Sequence, residues 1–135
     1  MMLDPQDKRT LSEARMAKAR ECLADARGNL EAGRFRTAVN RSYYAALSAV
    51  RSILILEGAN PETHEGAVTL LGLRLIRPGL LSIDVVKNFK LLLSRRTDVD
   101  YGDFDTIGEA DARDAARVAE QTLDAIEAVR RTLCR

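Results

Sequence analysis

An all-α fold, an up-and-down bundle of four to five helices, is what the sequence predicts, and three observations predict it. Apolar residues recur at steps of three and four along most of the chain, the helical period, instead of alternating as strands do. Only Pro5, Pro61 and Pro78 interrupt 135 residues, and each falls near a break in that period. Alanines punctuate the long apolar stripes, and small side chains let antiparallel helices approach closely. The length suits one domain over residues 1–135, enough to enclose a single core and too little for two.

Each element has its own signals. Asp4 and Pro5 read as a cap and a first helical turn, after which Met16, Ala19, Leu23, Ala26 and Leu30 carry a first helix to about Gly33. The second runs from about Arg34 to Glu57 and is closed by Gly58; the third runs from about Pro61 to Ile76 and stops before "RPGL". A fourth covers about Ile83 to Arg96. The Asp and Gly content of "TDVDYGDFDTIG" then predicts a loop. The last helix, from about Glu109 to Leu133, places Ala112, Ala116, Ala119, Leu123, Ile126 and Leu133 near one face.

With 21 basic and 20 acidic side chains the net charge is +1, so no bulk field points to nucleic acid or membrane, and any RNA contact has to be local. No apolar run approaches the roughly 20 residues of a membrane span, and "MMLDPQDKRTLSEAR" lacks the apolar core of a signal peptide. A cytoplasmic protein with no membrane partner is the expectation. Cys22 and Cys134 lack metal-ligand spacing and are expected to be reduced.

The second helix is unusual. In "AVNRSYYAALSAVRSILILEG" the residues Arg41, Tyr44, Ser48 and Arg51 stack along one side, while Val39, Tyr43, Ala46, Val50 and Ile53 stack along another. One face packs and a second holds hydroxyls and guanidinium groups. Burying arginine without an acid is costly, so Arg41 and Arg51 must reach solvent, a carboxylate or an anion. Asp98, Asp100, Asp103 and Asp105 are the acids available in the following loop. Elsewhere chemistry is sparse: there is no Gly-rich phosphate loop, no Cys or His cluster, and the single histidine, His64 in "PETHEGAV", reads first as structural or exposed. One histidine does not make a metal site, and "TDVDYGDFD" lacks the spacing and terminal Glu of a calcium loop. No metal and no cofactor are expected.

Three stretches in order, "AVNRSYYAAL", "THEGAV" and "RRTDVDYGDF", resemble the HEPN domain family in its branch of small stand-alone bacterial and archaeal proteins, over about Ala19 to Val129. The resemblance implies a helical bundle, a homodimer, and a minimal nucleotidyltransferase as protein partner in a toxin and antitoxin type of pair. Many members are metal-independent ribonucleases using an arginine followed four to six residues later by a histidine. This chain departs from that pattern: Tyr101 stands where the histidine after Arg96 would fall, and Ser48 occupies the second-helix position where relatives carry one. Neither has a pKa suited to taking a proton from a 2′-hydroxyl near neutral pH.

The expected function is therefore an interaction module, partner of a nucleotidyltransferase, with catalytic residues unknown and enzymatic activity not favoured. A metal-independent RNase toxin with an atypical site is the alternative, and a purely structural helical dimer a third reading. Arg41, Tyr44, Arg96, Asp100 and Tyr101 are the site residues expected to bind a nucleotide or partner. In one version Arg41 and Arg96 hold a phosphate while a tyrosine stacks on a base; in the other the same residues form a polar network that sets helix register.

Overall fold

The computed structural model of the chain describes residues 3–102 and 107–134. Among them are five helices: α1 Pro5–Glu31, α2 Phe35–Leu56, α3 His64–Leu71, α4 Asp84–Tyr101 and α5 Glu109–Leu133. A wider π-helical turn, Gly72–Ile76, continues α3. The long helices run up and down, and α2 is the central one, packing against α1, α4, α5 and α3. Its sequence explains that position, because apolar and small residues fill its circumference outside the face of Arg41, Tyr44, Ser48 and Arg51: Val39, Val50, Ile53 and Leu54 are fully buried, as are Ala38, Ala45, Ala46 and Ala49. The alanines leave room for the large side chains of neighbouring helices, among them Phe89 and Leu92 of α4 and Leu123 and Ile126 of α5. No described helix is long and apolar enough to cross a membrane.

The ends of the helices follow local chemistry. Asp4 caps α1, its carboxylate accepting from the Asp7 N–H at 2.8 Å. Gly58, at φ +75°, turns the chain out of α2 in the left-handed region that a side chain would resist. The third helix starts at His64, later than the expected Pro61, because Thr63 supplies the cap and accepts from the Gly66 N–H at 2.9 Å. A Cβ on Gly66 would stand 2.9 Å from the Thr63 hydroxyl, so a side chain there would force the cap to shift.

The fourth helix corrects the expected loop from Thr97. It continues five residues beyond Arg96 and ends at Tyr101, so Asp98, Asp100 and Tyr101 are helical. The apolar period persists through Phe89, Leu92 and Val99, all buried, and burial of Val99 outweighs the turn propensity of the aspartates around it. Arg36 of α2 donates to the Val99 carbonyl, satisfying one of the acceptors a helix end leaves open. Asp103 and Asp105 lie outside the described residues.

Candidate functional site: an arginine and aromatic pocket

The site is built on the polar face of α2, the start of α3 and the last turns of α4. Tyr43, Tyr44, Leu47 and Arg51 come from α2; Pro61, Glu62, Thr63 and His64 lead into α3; Leu93 and Arg96 come from α4. Together they line a concavity of about 450 Å³, within the range of small-ligand sites.

Its floor is aromatic. The Tyr43 ring lies parallel to the Phe89 ring at 5.8 Å between centroids, and His64 packs against Phe89 at 4.2 Å. The Tyr43 hydroxyl stands 3.2 Å from His64 Nδ1. Burial pushes the Tyr43 hydroxyl above its ordinary pKa, with the Arg96 charge opposing. Burial also pulls His64 below 6.5, against Glu65 and with help from Lys90. His64 is therefore neutral at pH 7. Because folding disfavours its protonated form, its contribution to stability is complete above pH 6.5 and declines as pH falls from there through the lower folded-state midpoint. An NMR titration is expected to give a His64 midpoint below 6.5, and His64→Gln is expected to flatten stability in that window. A midpoint at or above the ordinary value would contradict the burial argument.

Above this floor sit the cations. The Arg96 guanidinium lies 5.2 Å from the Tyr43 ring centroid and 5.1 Å from that of Tyr44, and Arg41 also lies 5.1 Å from the Tyr44 centroid. Both guanidiniums thus stand over one ring, which bounds their separation at twice that distance. Each such contact is worth about 0.5–1 kcal/mol and holds a cation without a carboxylate. It also occupies the π surface on which a base would stack, so the expectation that Tyr44 serves as a base platform does not suit this geometry. Asp100 approaches Arg96 Nε to 3.3 Å across one helical turn. The pairing is one of charge: the buried Nε N–H is not aligned with that carboxylate and has no hydrogen-bond acceptor.

Of the residues singled out from sequence, Arg41, Tyr44, Arg96 and Asp100 are linked by these contacts. Tyr101 stands apart, 82% exposed and without a side-chain hydrogen bond or ring contact among the described residues. Arg41, Ser48 and Asp100 are not among the lining residues, whereas Tyr44, Arg51 and Arg96 are. Sequence reasoning missed Tyr43, His64, Phe89, Leu47 and Leu93. Tyr43 falls on the packing face by periodicity, and only its hydroxyl hinted at a second role; no spacing rule joins it to His64, 21 residues away. No group of three or more His, Cys, Asp or Glu side chains able to hold a metal occurs among the described residues.

An antiparallel helical bundle with an arginine-rich, aromatic-floored pocket between its central helix and two neighbours defines the class. A family model for the HEPN domain matches residues 12–129, and the chain belongs to that family. A UPF0332 protein of Thermotoga maritima is 32% identical over 121 residues, covering 90% of this chain and 92% of the relative. A Methanocaldococcus jannaschii protein named "Putative toxin MJ0605" is 30% identical over 76 residues, 56% of this chain and 57% of that one. The crystal structure of TT1696 from Thermus thermophilus superposes with a TM-score of 0.76 over 87% of this chain and 97% of that one, at 21% identity, a likeness of fold.

Proposed function

We propose that the chain is a HEPN interaction module whose pocket binds the phosphate of a nucleotide through Arg96, and that it works beside a minimal nucleotidyltransferase in a toxin and antitoxin type of pair. The observation that carries this reading is the state of the pocket arginines. Arg51 and Arg96 both line the concavity, and each has a buried Nε without an aligned acceptor. Those Nε groups have no exposed surface, so a phosphate in the concavity would be met by the outer N–H donors of the same planar forks, which match its oxygens. Cation–π contact with Tyr43 and Tyr44 fixes the Arg96 fork in advance, so little rotamer entropy is lost on binding. The homodimer and the nucleotidyltransferase partner come from the family resemblance, and the toxin-like role from the name of one relative.

A second reading, an RNase with an atypical site, is favoured by one observation: His64 lines the same pocket as Arg96. For its Nε2 to accept a proton, Nδ1 must carry the ring hydrogen and donate to the Tyr43 oxygen, which the 3.2 Å separation permits. Arg96 would then stabilise the negative charge developing at phosphorus.

Calorimetry with AMP is expected to show binding that Arg96→Ala weakens at least about tenfold, the order of one charge-assisted contact. Equal affinities would leave the arginine cluster a structural network. In parallel, single-stranded RNA incubated in EDTA is expected to stay intact. Cleavage abolished by both Arg96→Ala and His64→Ala would reverse the order of the two readings.

A further inference from the structure

Of the residues lining the pocket, His64 is the one whose charge changes near neutral pH. Its ring packs on Phe89 and its Nδ1 stands 3.2 Å from the Tyr43 hydroxyl, contacts that hold the imidazole in place. The other ring nitrogen, Nε2, has no hydrogen-bond partner among the described residues and is not one of the buried unpartnered atoms, so it is the open end of the ring. The Arg96 guanidinium lies 5.2 Å and the His64 ring 6.0 Å from the same Tyr43 centroid, so the two stand no farther apart than the sum of those distances. One phosphate group, with a hydrogen bond of about 3 Å on either side, spans most of such an interval.

Without a ligand the surroundings oppose a charge on this ring. Burial is the largest influence and pulls its midpoint down; Glu65 of α3 pulls back, and Lys90 of α4 adds to the burial. Arg51 of α2 and Arg96 of α4 line the same concavity with it, and Glu62 is the single acid of that lining. Tyr43 is uncharged near neutral pH, its hydroxyl pushed up by burial. A phosphate dianion reverses this balance, because an opposite charge within about 4–6 Å moves a titrating group by roughly 1–3 units toward its charged form. In the protonated ring both nitrogens donate, Nδ1 to the Tyr43 oxygen and Nε2 outward.

We infer that the pocket binds phosphate together with a proton, the anion lying between the Arg96 fork and a His64 imidazolium whose Nε2–H donates to it. The inference rests on the phosphate reading of the pocket and adds its regulation by pH: the proton comes from the medium, so affinity falls as pH rises. In the RNase reading Nε2 has to be free of a proton; here it carries one.

The test is calorimetry of AMP binding to the whole chain at pH 7 in two non-phosphate buffers of different ionisation enthalpy. The AMP phosphate loses its second proton near pH 6, and contact with arginine favours that loss, so any net uptake belongs to the protein. Uptake of roughly half a proton per AMP is expected, and affinity is expected to fall at least about fivefold from pH 6.5 to pH 8.5. His64→Gln is expected to lose the uptake and to hold its AMP affinity within about twofold across that range. His64 is the only histidine of the chain, so its imidazole NMR signals need no variant to assign them. Saturating AMP is expected to raise their midpoint by about one unit or more, a readout that serves if the glutamine variant misfolds. Net proton release, no exchange, an unmoved midpoint, or uptake that persists in His64→Gln would overturn the coupled site. AMP binding still weakened by Arg96→Ala beside such a result would leave the phosphate reading standing. Absence of AMP binding at every pH would overturn both.

Discussion

Phe89→Ala is expected to destabilise the protein by about 3–5 kcal/mol, the range for removing a fully buried aromatic ring from a packed core. Phe89 has no exposed surface and supports both Tyr43 and His64, so the cavity opens directly beneath the pocket. Urea unfolding measures the loss, and the melting temperature is expected to fall by on the order of 10–20 °C. Phe89→Leu, which restores much of the volume, is expected to recover most of the stability, leaving a deficit of about 1–2 kcal/mol. His64 offers a second readout, because losing its aromatic support admits water and moves its titration midpoint back toward 6.5. A loss below about 1 kcal/mol would mean that the bundle closes around the missing ring, contrary to the packing of α2 on α4.

The second large effect is expected at the seam between α1 and α5. Arg130 of α5 is 4% exposed and joins three groups: its Nε donates to the Ser12 hydroxyl at 2.8 Å, Nη2 to Glu13 at 2.8 Å, and Nη1 to Glu127. Burial opposes its charge, but hydrogen bonds to Glu13 and Glu127 more than compensate and leave its pKa raised. Arg130→Ala leaves a mostly buried Glu127 carboxylate with only the exposed Arg131 at 3.8 Å and strands a buried Ser12 hydroxyl, at an expected cost of about 3–4 kcal/mol. Arg130→Met fills the space and still strands the carboxylate. Adding Glu127→Leu to Arg130→Met is expected to return part of the loss, since a well-packed apolar pair can replace a buried ion pair at little net cost. The cost of Arg130→Ala should vary little with salt, unlike that of exposed pairs such as Arg113 with Glu109. A ΔΔG under about 1 kcal/mol by urea unfolding would show the network to be dispensable.

Much of the architecture is legible because it depends on local chemistry. Caps and breakers mark the ends of helices within a few residues of where they fall, as Asp4 does for α1 and Gly58 for α2. The stretch Thr97–Tyr101 reads as the start of a loop and folds as helix, because aspartates signal a turn locally, while burial of Val99 and capping by Arg36 are long-range effects that no window on the sequence contains.

The candidate site divides along the same line. Stacking of Arg41, Tyr44 and Arg51 on α2, and the charge pair of Arg96 with Asp100, follow from helical steps of three, four and seven, which constrain neighbours on one cylinder. By itself, then, the sequence determined the class of fold, the polar face of its central helix and the family motif. Only the tertiary structure decided that His64 meets Tyr43, that Arg96 covers two tyrosine rings and that Tyr101 stays out in solvent. Periodicity gives each helix a buried face but no rotation or height relative to its neighbours; those are set by side chains of several helices packing together at once.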